Sequence, residues 1–120
     1  FHKLTEIDDN FDVAAFEKAK MDEIGLINEI YPRYRSTYYS HIFAGGYSAG
    51  YYVYYWAAVL DSDAFNYFKE SGDLFNPELA AKFRQHCLQE CGNDEGMVQY
   101  KKFRGQEPSN EPFLKKHGLK

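Results

Sequence analysis

Nine of the eleven tyrosines fall between Tyr31 and Tyr55, and the glycine pair Gly45-Gly46 divides them. Each phenol brings a large apolar ring and one hydroxyl that needs a partner once water is removed. A chain of 120 residues forms one small core. Burying nine such rings there would leave many hydroxyls to satisfy. The segment therefore reads in two ways, as an aromatic core stripe or as a row of phenols lining a wet cleft. The glycine pair adds a place where the backbone can bend or approach a neighbour closely.

The rest of the composition narrows the class. Hydrophobic residues at 44% and charged residues at 27% suit one soluble globular domain. The net charge of −4, with no long basic run, argues against a nucleic-acid partner. No apolar run approaches the roughly 20 residues of a membrane span, so no membrane partner is expected. Tyr51 to Leu60 is uncharged but too short and too rich in hydroxyls. Cys87 and Cys91 are the only cysteines, and a spacing of four gives no disulfide framework. A reducing compartment follows, with a cytoplasmic location expected and the periplasm left open. The first residue, Phe1, allows no statement about export.

The punctuation predicts helices throughout. Asp12 can cap a helix over "VAAFEKAKMDEI", with Val13, Phe16, Met21 and Ile24 as its apolar face and Gly25 as its stop. Pro32 turns or extends the chain at Tyr31. A long helix is expected from Tyr47 to about Leu60, continuing or kinking near Asp61-Ser62-Asp63 and ending at Gly72. Its buried side would hold Val53, Trp56 and Leu60. "YYVYY" carries a strand signal but lacks strict alternation. Asn76-Pro77 is a cap followed by proline at the first helical position, and that helix should reach about Cys91 before Gly92. Asp94 can cap a short helix to Phe103, stopped by Gly105. One more turn or two should close at Gly118.

Local catalytic motifs are weak. No histidine among His2, His41, His86 and His117 begins HExxH, which places two imidazoles on one metal and a carboxylate beside its water. In "HCLQEC", His86 and Cys87 diverge on a helix, so packed or surface thiols are the better account. "AGGYSAG" lacks the lysine of a phosphate loop. Gly46 to Gly50 matches G-x-S-x-G around Ser48, but a nucleophile elbow needs a strand before it and a helix after it. On a helix, Tyr47, Tyr51 and Tyr54 would share one face, with Tyr47 and Tyr54 about 10 Å apart along the axis. Phenols so placed can hold a developing oxyanion. Spacing alone favours the core stripe, and the number of hydroxyls pulls part of the weight towards a cleft.

"RYRSTYYSHIFAGGYSAGYYVYYWAAVLDSDAF", followed by "FKESGDLFN", "KFRQHCLQECG" and "YKKFRGQEPSNEPFLKKHGL", resembles the C-terminal end of the thimet oligopeptidase-like zinc metallopeptidases. The peptidyl-dipeptidase (dipeptidyl carboxypeptidase) branch is the nearest in pattern. With "FEKAKMDEIGLINEI" the likeness covers essentially the whole chain, and "HGL" looks like the end of such a chain. It implies an all-α fold, the helical C-terminal piece of a two-lobed enzyme with a deep channel. Zinc would sit on the channel floor, held by residues upstream of this stretch. A mobile glycine-rich loop would flank the metal, and tyrosines would bind substrate backbone and stabilise the tetrahedral intermediate. Carried over residue by residue, the catalytic positions are Tyr54 and Tyr47, and the substrate-binding positions are His41, Gly45, Gly46 and Tyr51. Val53 stands where a small residue is usual, and Tyr55 where leucine is common. The implied partners are short peptides and the missing N-terminal part of the same enzyme. Alone, this chain is expected to bind no catalytic zinc, to hydrolyse no peptide, and to self-associate. A non-catalytic helical binding module of the same ancestry is the alternative, and HExxH upstream of Phe1 would separate the two.

Overall fold

The computed structural model describes residue 1 and residues 3–120. His2, weighed above as a metal ligand, lies outside the described residues. The fold is all-α, with no strand among the described residues, and the chain divides into two compact units, residues 1–52 and 53–120. No helix among the described residues is long and apolar enough to cross a membrane.

The first unit holds one regular helix. α1, Val13–Glu23, starts where Asp12 accepts a hydrogen bond from the Ala15 amide. It stops before Gly25 at φ +75°. Its one buried residue is Glu17, while Ile24, expected on the apolar face, caps the end and is exposed. Glu17 accepts from Arg35 Nη1 at 2.5 Å and from both the amide and the hydroxyl of Ser36. Those bonds tie α1 to the short 3₁₀ turn Ser36–Tyr38, and a second such turn, Ser40–Ile42, follows it in the chain. Phe1, Phe11, Phe16 and Phe43 gather as an aromatic cluster beside them.

The second unit has four α-helices, three of which set aromatic rings around one buried ring, while the last packs on α2. α2 is Val53–Glu70, α3 is Pro77–Phe83, α4 is Gly96–Arg104 and α5 is Glu111–Lys116. Asn76 caps α3 as its sequence demands, accepting from the amides of Glu78 and Leu79. α3 then widens into a π-helical stretch, Arg84–Gln89, and the chain turns at Gly92. α4 begins two residues after Asp94, whose carboxylate accepts from Lys102 Nζ rather than capping the helix. Phe103 of α4, 1% exposed, is the centre. Tyr67 and Phe83 meet it edge-on with centroids at 5.4 Å, and Phe68 and Tyr100 lie slightly farther off.

α2 departs from the sequence expectation in its start and in what it buries, while its course through Asp61-Ser62-Asp63 is the continuing one that expectation allowed. It starts at Val53, not Tyr47, because the preceding residues turn: Gly46 has φ +80°, Ala49 has φ +55°, and the Gly50 amide bonds back to Tyr47. It also runs unbroken through Asp61-Ser62-Asp63. Ser62 and Asp63 are its most buried residues, whereas Val53 and Trp56 are largely exposed. Asp63 belongs inside because Tyr100 Oη donates to it at 2.6 Å and Arg104 Nε at 3.2 Å. Arg104 also donates to Glu70 and lies over the Tyr67 ring at 4.5 Å.

Candidate functional site

The segment after Pro32 is built from rings and short turns. The two 3₁₀ turns place Tyr39 between them and bring His41 back towards the residues that follow the glycine pair. The His41 ring lies 5.2 Å from that of Tyr47 and 5.5 Å from that of Tyr51. Tyr39 meets Tyr51 edge-on at 5.1 Å, and Tyr34 stacks on Tyr39 at 4.9 Å. Burial, then the hydrogen bond with the Tyr51 hydroxyl, pushes the Tyr39 phenol up to about 12.

A shallow pocket of about 200 Å³ opens at this cluster, lined by Ser40, His41, Ala44, Gly45 and Tyr47. The loop is closed by Ala44 and Phe43 amides bonding to the Ser40 carbonyl and by Ser48 Oγ donating to the Phe43 carbonyl. Gly45 and Gly46 stand at φ +71° and +80°, and nothing lies within 4 Å of where a Cβ would sit on either. Glycine is required here by left-handed backbone conformation, not by crowding. An imidazole, one phenol and an open backbone line one concavity. Such a set can bind the carbonyl and amide groups of an extended peptide, and the rings can cover its side chains.

Of the six site residues read from the sequence, the structure brings His41, Gly45 and Tyr47 to this pocket, with Gly46 next in the chain and Tyr51 against His41. It does so through turns, so the shared helical face expected for Tyr47, Tyr51 and Tyr54 is not formed. Tyr54 lies in the first turn of α2, in the second unit, and is 48% exposed. Tyr39 went unnoticed in the sequence. Its signal was its place two residues before His41, visible only once the intervening residues turn. Ser48, with turns on both sides and its hydroxyl on Phe43, does not form a nucleophile elbow.

A metal site does not fit this donor set. Among the described residues no three histidine, cysteine, aspartate or glutamate side chains come together to hold an ion. His86 Nδ1 lies 3.0 Å from Glu90, whose carboxyl this hydrogen bond holds below the usual range. Cys87 is half-buried and Cys91 exposed, and both are free thiols.

Comparison with known proteins places this geometry in context. Residues 1–119 match peptidase family M3. The chain is 49% identical over 82 residues to "Oligopeptidase A" of Escherichia coli (strain K12), covering 68% of the chain and 12% of that protein. It is 40% identical over 112 residues to "Dipeptidyl carboxypeptidase" of the same organism, covering 92% and 16%. With "Dipeptidyl carboxypeptidase" of Salmonella typhimurium the identity is 38% over 120 residues, 99% of this chain and 18% of the relative. The chain thus spans less than a fifth of the length of these relatives.

Proposed function

Since this chain belongs to peptidase family M3, we propose that it forms the substrate-facing C-terminal part of a zinc-dependent peptidase that cleaves short peptides or removes C-terminal dipeptides. One observation carries this best. The block H-I-F-A-G-G-Y folds into an open pocket lined by His41, Gly45 and Tyr47, with Gly46 next in the chain and both glycines left-handed. The names of the relatives, oligopeptidase and dipeptidyl carboxypeptidase, supply the substrate class.

Within that function the roles divide by chemistry. His41, Gly45, Gly46 and Tyr51 hold the peptide, the glycines by leaving backbone open to substrates of different sequence. Tyr54 donates its phenol proton to the oxygen that becomes negative as the carbonyl is attacked, and Tyr47 is the second donor. Such a donor acts most strongly where charge develops in the transition state. The donors for the zinc of this enzyme class lie outside this chain, and none of these roles passes through the metal. Its two free cysteines favour a cytoplasmic location.

Tyr54→Phe, made in the polypeptide that carries the rest of the family domain, tests the assignment. The kcat should fall on the order of a hundredfold with KM little changed, the usual effect of removing an oxyanion donor. An unchanged kcat removes Tyr54 from the role.

A further inference from the structure

Tyr39 stands behind the candidate site and is not one of the residues lining its pocket. It falls at the joint of the two 3₁₀ turns, and its carbonyl accepts from the Ile42 amide at 3.3 Å. The first of those turns is bound to α1, because the Ser36 amide donates to the buried Glu17 carboxylate. The Tyr39 ring is half-buried, tilted against Tyr34 at 4.9 Å and edge-on to Tyr51 at 5.1 Å. Tyr51 in turn stands edge-on to the two rings that line the pocket, His41 at 5.5 Å and Tyr47 at 6.5 Å. A run of packed rings thus leads from an anchored turn, through Tyr39 and Tyr51, to the pocket wall.

Ring packing alone asks only for phenylalanine at position 39. The hydroxyl adds a bond with the Tyr51 hydroxyl. Burial first, and then this bond, raises the Tyr39 phenol, and a bond that raises a phenol is made by its protonated form. Tyr39 is therefore the donor and Tyr51 the acceptor, which directs the Tyr51 proton away from Tyr39. A hydroxyl that accepts one such bond also donates a stronger one. The two residues flank the loop that carries Gly45-Gly46, so their bond closes that loop at its neck. Tyr51 precedes α2 and sits among turns, so no helix fixes its direction. We propose that Tyr39 is a positioning residue for peptide binding: it closes the neck of the glycine loop by donating to Tyr51, and so aims the Tyr51 hydroxyl at a carbonyl of the bound peptide. This rests on the peptidase reading, in which Tyr51 holds the peptide.

Affinity for a short alanine peptide, labelled at its N-terminus and read by fluorescence anisotropy, tests this in the polypeptide that carries the rest of the family domain. Chelator is present so that binding is read without cleavage, and hydrolysis with zinc is assayed in parallel. Tyr39→Phe keeps the ring and removes the bond, and should raise Kd about fivefold, the scale of one hydrogen bond. In hydrolysis the same factor should appear in KM, with kcat within about twofold of the parent. In a Tyr51→Phe background the substitution should add little, because its effect passes through the Tyr51 hydroxyl. Equal effects in the two backgrounds overturn the proposal. So does an unchanged Kd in Tyr39→Phe, whether Tyr39→Leu then weakens binding or only the melting midpoint falls, since the ring or the fold is then all that position 39 supplies. A parent polypeptide that binds no peptide overturns it as well. The coupled pattern in a polypeptide that hydrolyses nothing keeps the positioning role and removes the peptidase assignment instead.

Discussion

Tyr100 and Asp63 meet through a 2.6 Å hydrogen bond inside the second unit, and both are buried. Burial, then this carboxylate, holds the Tyr100 phenol far above its usual range. A folded-state value above the unfolded one gives stability that is complete below the ordinary phenol value of 10.0 and is lost as pH rises past it. Tyr100→Phe should therefore destabilise the unit by about 1.5–3 kcal/mol at neutral pH, the scale of a hydrogen bond to a charged group. It should also flatten the alkaline limb, and urea unfolding at neutral pH and above pH 10 reads both effects. Glu17 has the opposite sign. Its bond from Arg35, then that from the Ser36 amide, lowers its carboxyl below 4.5. The stability it gives is present above 4.5 and is lost as pH falls through the folded value. Glu17→Gln should remove that acid sensitivity from the melting midpoint, and an unaltered pH profile would contradict it. Neither buried carboxylate was legible in the sequence. Asp63 reads as a polar position where a helix continues or kinks, because its partners lie about forty residues on.

At the scale of elements, local signals were read well wherever a side chain meets its own backbone. Asp12 caps α1, Asn76 caps α3, and Gly25, Gly72, Gly92 and Gly105 all follow helices at positive φ. Asn76→Ala should cost about 1 kcal/mol, the typical value of an N-cap, measured by urea unfolding. No loss would mean that the two amide bonds to Asn76 contribute nothing net. The start of α2 was misplaced by six residues, since "YSAGYY" has helical spacing and its turns depend on Ala49 adopting φ +55°. Alanine rarely takes that conformation, so composition could not announce it. The same turns carry the candidate site. The resemblance selected His41, Gly45, Gly46, Tyr47 and Tyr51, but the grouping of the first unit's rings around His41 comes from the turns, not from a helix face. Gly46→Ala should strain the backbone by on the order of 1 kcal/mol, with no clash to relieve because the space is open. In the full polypeptide its expected effect is a raised KM, as the loop loses its pocket geometry.

At the scale of the molecule, the exposed rings matter most. Tyr52 and Tyr55 are largely open at and near the start of α2, and Trp56 is about half exposed. Apolar surface of this kind finds a partner, so the lone chain should self-associate through it or by exchange of helices at Gly45-Gly46. Sedimentation equilibrium at micromolar concentration checks this, and a single species near 14.0 kDa contradicts it. The central claim is that this chain supplies the substrate face of an M3 peptidase and that the metal donors lie elsewhere in the polypeptide. Hydrolysis of a short peptide with zinc present, compared between the lone chain and the polypeptide bearing the rest of the family domain, tests it most directly. The account predicts no turnover by the lone chain and chelator-sensitive turnover by the larger polypeptide. Zinc-dependent turnover by the lone chain, or none by the larger one, would contradict it.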